Sequence, residues 1–277
     1  MEETEMSPLF AHNDETFARA DAVICASSFT RHSLVAAGST VMNTAADAPG
    51  STVLGGGQLI VANSFRFNDP VTLSAALTLG GPAGRFNSTL NGGQALTANL
   101  TGNLTFVGAV GGTQPLGSIT SAGASTMIYY GGQVRTTGSQ IYNGPVLLGT
   151  NTTMGASALT FNGPLNTGPA LTTLSGVNAA TTGESDLIAN VSGATIFNAP
   201  VGQLTRLGDV TTDAGGTTII PANFNATRLT VNDPATFDTA AAITESPDDC
   251  ASRASCRYFS AIWAALPRTF TSGPLLS

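Results

Sequence analysis

The chain has 277 residues and carries a net charge of −7, with only 10% of its residues charged against roughly 25% in an ordinary soluble domain. All ten cations are Arg, and they form no basic face to hold a phosphate backbone, so nucleic acid and anionic membrane surfaces are excluded as partners. No run of about 18 apolar residues exists to insert in a membrane as a helix.

Residues 1–50 do not repeat. They hold seven acids against Arg19 and Arg31, and they contain both histidines, His12 and His32, as well as Cys25. Apolar positions at Phe17, Ala20, Val23, Ile24, Phe29 and Leu34 suggest a short helix within 16–37. The start is acidic and lacks the apolar core of a secretion signal. The segment reads as an N-terminal cap or leader, and the chain as a mature form or a piece of a longer protein.

From 51 to 243 the sequence is repetitive, and self-similarity is read before anything else. The short motif is aromatic, Asn, small or acidic, Pro, aliphatic. It appears as Phe67-Asn68-Asp69-Pro70-Val71, Tyr142-Asn143-Gly144-Pro145-Val146, Phe161-Asn162-Gly163-Pro164-Leu165 and Phe197-Asn198-Ala199-Pro200-Val201. Weaker copies begin at Phe86-Asn87, Phe106 and Val231-Asn232. Copies recur about every 19 residues, or about twice that where a unit lacks the motif. A longer repeat lies over this one: 64–97 aligns with 139–172 at an offset of 75, and 96–123 with 187–214 at an offset of 91. The difference of 16 residues marks an extra short unit near 173–186.

Each unit alternates like short strands, as in 95–100, 103–107, 71–73 and 146–148. Gly and Asn pairs such as Asn91-Gly92, Gly111-Gly112 and Gly163-Pro164 punctuate them as turns. Units this short cannot bury a core alone, but they can when stacked. The expectation is an all-β, right-handed parallel β-helix (a β-solenoid) of about 19 residues per rung, with short non-repetitive ends. Its rungs would rise about 4.8 Å each. The motif aromatics Phe67, Phe86, Phe106, Tyr142, Phe161 and Phe197, with Val231, would form an inward ladder. Asn68, Asn87, Asn143, Asn162, Asn198 and Asn232 would form a second ladder at a turn, amide on amide. A propeller blade needs about 40 residues or more, which these units lack.

The tail, 244–277, changes character again. It holds Cys250 and Cys256, which either pair or stay free, and the single Trp, Trp263, in the apolar run 258–266. It reads as a C-terminal cap or tail.

Chemistry is sparse. With both histidines ahead of the repeats, a Ser-His-Asp, Cys-His or His-zinc site inside them is excluded. Two carboxylates suffice for glycoside hydrolysis, and the candidates are Glu184 with Asp186 and Asp209 with Asp213, with Arg206 beside Asp209. Asp69 and Asp233 fall at turn positions where Asp is common. The Gly-rich runs lack the strand–helix context of a phosphate loop. No cofactor and no metal are expected.

The stretch from Thr136 to Thr153, with Leu159-Thr160-Phe161-Asn162-Gly163 and Phe106 to Thr120, resembles the repeats of bacterial filamentous haemagglutinin-like and autotransporter-type adhesins. The resemblance covers roughly two thirds of the chain. It implies an extracellular or cell-surface rod, non-catalytic, that attaches to surface glycans or protein receptors. Self-association through the ends of the rod is a further expectation. Two other functions compete: a β-helix polysaccharide lyase or glycoside hydrolase, and an ice-binding solenoid. The last would need Thr-x-Thr arrays, and the one with an apolar centre, Thr269-Phe270-Thr271, lies outside the repeats.

Overall fold

The computed structural model describes residues 34–36, 45–46, 50–122, 125–169, 184–238 and 243–244. Every strand pairing within it is parallel, and the described residues include no helix. The chain coils as a β-solenoid of about eight turns with about 20 residues per turn.

Three faces run the length of the rod. Face A stacks the end of Thr52–Ile60, then Leu77–Gly81, Ala95–Leu100, Ser118–Ser121, Gln140–Tyr142, Leu159–Phe161, Ala194–Phe197, Thr217–Ile220 and Ala235–Phe237. Face B stacks Ala45–Ala46, Ser64–Phe67, Ala83–Phe86, Asn103–Phe106, Thr126–Tyr129, Val146–Leu148 and Leu165–Thr167. Single bridges carry it on through Val201 to Phe224. Face C begins with Thr52–Leu54, Val71–Leu73 and Leu90–Asn91, passes through a bridge at Val110, and continues as Gln133–Arg135, Thr152–Ala156, Leu187–Val191, Leu207–Thr212 and Phe224–Val231. The short Val, Leu and Thr runs form strands because each alternates one buried with one outward side chain, as Val146–Leu148 and Leu187–Val191 do.

Register partners on face B, from Arg66 through Arg85, Thr105, Ile128 and Leu147 to Asn166, lie 19, 20, 23, 19 and 19 residues apart. The parallel pairing also reaches past the boundary expected at residue 51: Leu34–Ala36 pairs with Thr52–Ile60, and Ala45–Ala46 with Ser64–Phe67. Leu34–Ala36 is therefore strand, and the helix expected over 16–37 does not extend through it.

The extra residues near 173–186 do not make a rung. Thr152–Ala156 pairs directly with Leu187–Val191, and Leu159–Phe161 with Ala194–Phe197, so no strand comes between them. On face B the bridge Leu165↔Val201 spans 36 residues. The insertion leaves the ladder at the corner between faces B and C and rejoins it one strand later.

The core is a ladder of rings. Phe67, Phe86, Phe106 and Tyr129 stack down face B with centroids 5.2–5.3 Å apart and interplanar angles of 4–19°. Tyr142, Phe161 and Phe197 stack in the same way down face A, 5.3 Å apart. Where the ladder changes face, the rings turn edge-on: Tyr129 to Tyr142 at 79°, and Phe197 to Phe224 at 90°. Both geometries are favourable for aromatic pairs. A second Phe in the first of these strands, Phe65, also points inward; a Cβ on Gly84 would lie 2.1 Å from its ring, so the small residue one rung on makes the space.

The long sequence repeat is therefore out of phase with the coil. Elements aligned at an offset of 75 sit on different faces. Ser64–Phe67 on face B corresponds to Gln140–Tyr142 on face A, and Val71–Leu73 on face C to Val146–Leu148 on face B. The offset spans about three and two-thirds turns, which turns the second copy by one face about the rod axis. At Val231-Asn232-Asp233-Pro234 the motif appears once more, now starting on face C. Val231 is thus not on the aromatic ladder: it pairs with Thr212 at the end of a face C strand and is half-exposed.

Candidate functional site

The motif Asn side chains link rungs. Asn87 Nδ2 donates to Asn68 Oδ1 at 2.6 Å. Asn162 Nδ2 donates to Asn143 Oδ1, and Asn198 Nδ2 to Asn162 Oδ1, both at 2.8 Å. Two short amide ladders result, one per copy of the repeat. Asn232 takes a different partner and donates to the Thr212 carbonyl at 2.7 Å. Asp69 and Asp233 are buried, and their carboxylates accept from hydroxyls of neighbouring rungs: Thr52 for Asp69, and Thr212 and Thr218 for Asp233. Both acids are structural ties.

The candidate catalytic acids divide. Glu184, Asp186 and Asp209 come to one edge of face C; Asp213 does not, and its Oδ1 accepts from the Val191 N–H at 3.2 Å. Asp186 accepts from Asn151 Nδ2 at 2.7 Å and from the Asp209 N–H at 2.8 Å. Gly208 permits this, because a Cβ there would lie 2.2 Å from Asp186 Oδ1. Glu184 accepts from Arg206 Nε at 2.6 Å and from the Thr227 hydroxyl. Arg228 pairs with Asp209 one rung away. Each carboxylate is thus engaged by a neighbouring rung. No group of three or more His, Cys, Asp or Glu among the described residues is close enough to hold a metal ion. His12, His32, Cys25, Cys250, Cys256 and Thr269–Thr271 lie outside the described residues.

Sequence reading missed three features. The first is a polar chain in the core where the ladder changes face. Tyr129 OH donates to Tyr142 OH at 3.1 Å, Tyr142 OH donates to Gln140 Oε1 at 3.0 Å, and Gln140 Nε2 donates to the Gly155 carbonyl at 3.0 Å. Burial raises both phenols well above the ordinary tyrosine range. Tyr129 follows no Asn-x-Pro pattern, which is why the motif search passed it by.

The second feature is the outer surface of face A. None of its strands contains a charged residue. One outward column runs Gln58, Thr78, Thr97, Thr120, Ile141, Thr160, Ile196, Ile219 and Thr236, each in register with the next. Only stacking puts these side chains in line, so no local spacing shows it. The column beside it holds Ala95 and Ser118, then Ala194 and Thr217, so the surface is mixed Thr, Ile and small residues instead of paired Thr columns.

The third is a groove of about 400 Å³ on face B, lined by Ser64, Arg66, Ala83, Arg85, Asn103 and Thr105 among others. No protein-family model, curated protein or solved structure matches the chain.

Proposed function

We propose that the solenoid works as a non-catalytic, adhesin-like rod, displayed extracellularly or at a cell surface, that binds glycan or protein receptors through its outward faces. The observation that supports this most is the uncharged face A. Nine strands align Thr, Ile, Ala and Ser side chains into a regular surface with no charge to desolvate on contact. The acids meanwhile serve as ties between rungs. The test is to immobilise the full chain and measure attachment of cells and a panel of glycans, assaying the same glycans for cleavage. Saturable attachment with intact glycans is expected; new reducing ends or unsaturated products would overturn the reading.

The convergence of Glu184, Asp186 and Asp209 with Arg206 and Arg228 favours a second reading, a carbohydrate-active enzyme. It expects polysaccharide cleavage that Glu184→Gln abolishes. Cleavage that survives Glu184→Gln would place the chemistry elsewhere.

A further inference from the structure

Charge on this rod is scarce, yet face B sets two cations side by side. Arg66 and Arg85 are Cα partners on neighbouring parallel strands, Ser64–Phe67 and Ala83–Phe86, with both side chains on the outer surface. Adjacent strands lie about 4.8 Å apart, so the two guanidinium groups share one patch. Like charges directly opposite each other on a sheet are unfavourable. Among the described residues no carboxylate pairs with either Arg: the ion pairs are Arg206–Glu184 and Arg228–Asp209, on another face. Burial and the neighbouring Arg66 cation both depress the pKa of Arg85 below its ordinary value, which marks the crowding.

The geometry around the pair is organised. Arg85 Nε donates to Asn87 Oδ1 at 2.5 Å, and Asn87 in turn donates to Asn68. The first Asn ladder therefore fixes one edge of the Arg85 guanidinium and leaves its terminal N–H groups to face outward. Beside the Arg column, Ser64, Ala83 and Asn103 form a row of small or polar side chains, and Thr105 continues the Arg column by one rung. The result is a sugar-sized groove with a floor that can donate to and accept from hydroxyls and a wall of two guanidinium forks. A planar guanidinium matches a planar carboxylate bidentately.

We propose that the groove at Arg66 and Arg85 binds a carboxylated sugar, the uronate carboxylate lying on the guanidinium pair and the ring hydroxyls on Ser64, Asn103 and Thr105. This names the chemistry that one face of the proposed adhesin recognises and so rests on that reading.

The experiment is calorimetric titration of the full chain with a uronate-containing disaccharide, its neutral counterpart, a sulfated disaccharide and inorganic sulfate. It is repeated on Arg66→Gln, Arg85→Gln, Arg85→Lys and, on face C, Arg135→Gln. The uronate is expected to bind and the neutral sugar not. Arg66→Gln and Arg85→Gln should each weaken binding about tenfold, Arg85→Lys should weaken it less than Arg85→Gln, and Arg135→Gln should leave it unchanged. The melting temperatures of Arg66→Gln and Arg85→Gln should not fall, because each removes one of two repelling charges. Equal binding of the neutral sugar, tighter binding of the sulfated one, binding of sulfate alone, or an equal loss in Arg135→Gln would each overturn the site. Attachment to cells without uronate binding would overturn the site and leave the adhesin reading. Cleavage of the bound uronate would do the reverse.

Discussion

Two stretches of this rod, 64–91 and 139–166, share one sequence pattern and build the same strand–corner–strand unit, yet the second is turned by one face. In the first, the motif aromatic lies on face B and its Asn ties Asn68 to Asn87; in the second it lies on face A and its Asn ties Asn143 to Asn162. The local sequence therefore dictates the corner, and the number of residues between corners dictates where on the rod that corner falls. A 23-residue interval, Thr105 to Ile128, lies between the two stretches, with the edge-on Tyr129–Tyr142 contact just beyond it. The core tolerates the turn because an aromatic ring packs as well edge-on as stacked.

If the two copies are energetically equivalent, truncating the same ring in each should cost the same. Phe86 and Phe161 are both fully buried between stacked neighbours. Phe86→Ala and Phe161→Ala should each destabilise the fold by about 3–5 kcal/mol and agree within about 1 kcal/mol, measured by denaturant unfolding of the full chain. A larger gap would mean that the change of face weakens one copy. A smaller perturbation tests the corners. Gly111 and Gly202 stand at equivalent positions, 91 residues apart, with φ near +69° and +67°. A Cβ would lie 2.2 Å from the Arg135 carbonyl oxygen in one and 1.9 Å from that of Asn225 in the other. Alanine at either should cost about 1–3 kcal/mol, and a neutral result at one alone would break the equivalence.

This pairing of positions was largely legible in the sequence, and its limits are instructive. The motif Phe-Asn-x-Pro-Val marks a strand, a corner and the next strand, so fold class, approximate rung length and both ladders could be read from it. What could not be read was phase, because 75 residues look like a whole number of units until the pairing shows the one-face turn. The same blindness hid Tyr129 and Phe224, which complete the ring ladder without the motif, and misplaced Val231, which has it. Sites on the outer faces were less legible still. Arg66 and Arg85 look like isolated residues in different units, and only register brings them together.

The change of face can be probed through its hydroxyls. Tyr142→Phe strands the buried Tyr129 hydroxyl and leaves Gln140 Oε1 without its donor, at a cost of about 1–3 kcal/mol. Tyr129→Phe removes only a donor to Tyr142, whose own bond to Gln140 survives, and should cost about 1 kcal/mol or less. Both phenols have raised folded-state pKa values, chiefly from burial. Their contribution is complete below the unfolded tyrosine value of about 10 and is lost as pH rises above it. Melting temperature should therefore fall above about pH 10, less steeply in Tyr142→Phe. An unchanged slope in that variant would mean that other groups govern the alkaline limb.

The smallest effect is expected at the ion pairs, which the second copy has and the first lacks. Arg206 and Glu184 are about one third exposed, at 34% and 33%. Pairs this exposed contribute little, so Arg206→Gln should shift stability by less than about 0.5 kcal/mol, and the shift should shrink further in high salt. The result also discriminates between functions. A rod that uses these charges only to stitch rungs will barely register the loss. A loss well above about 1 kcal/mol would show that Arg206 holds the Glu184, Asp186 and Asp209 carboxylates together against their mutual repulsion. Such stored repulsion is a property of a site built for chemistry more than of a scaffold, and it would move the carbohydrate-active reading ahead of the adhesin one.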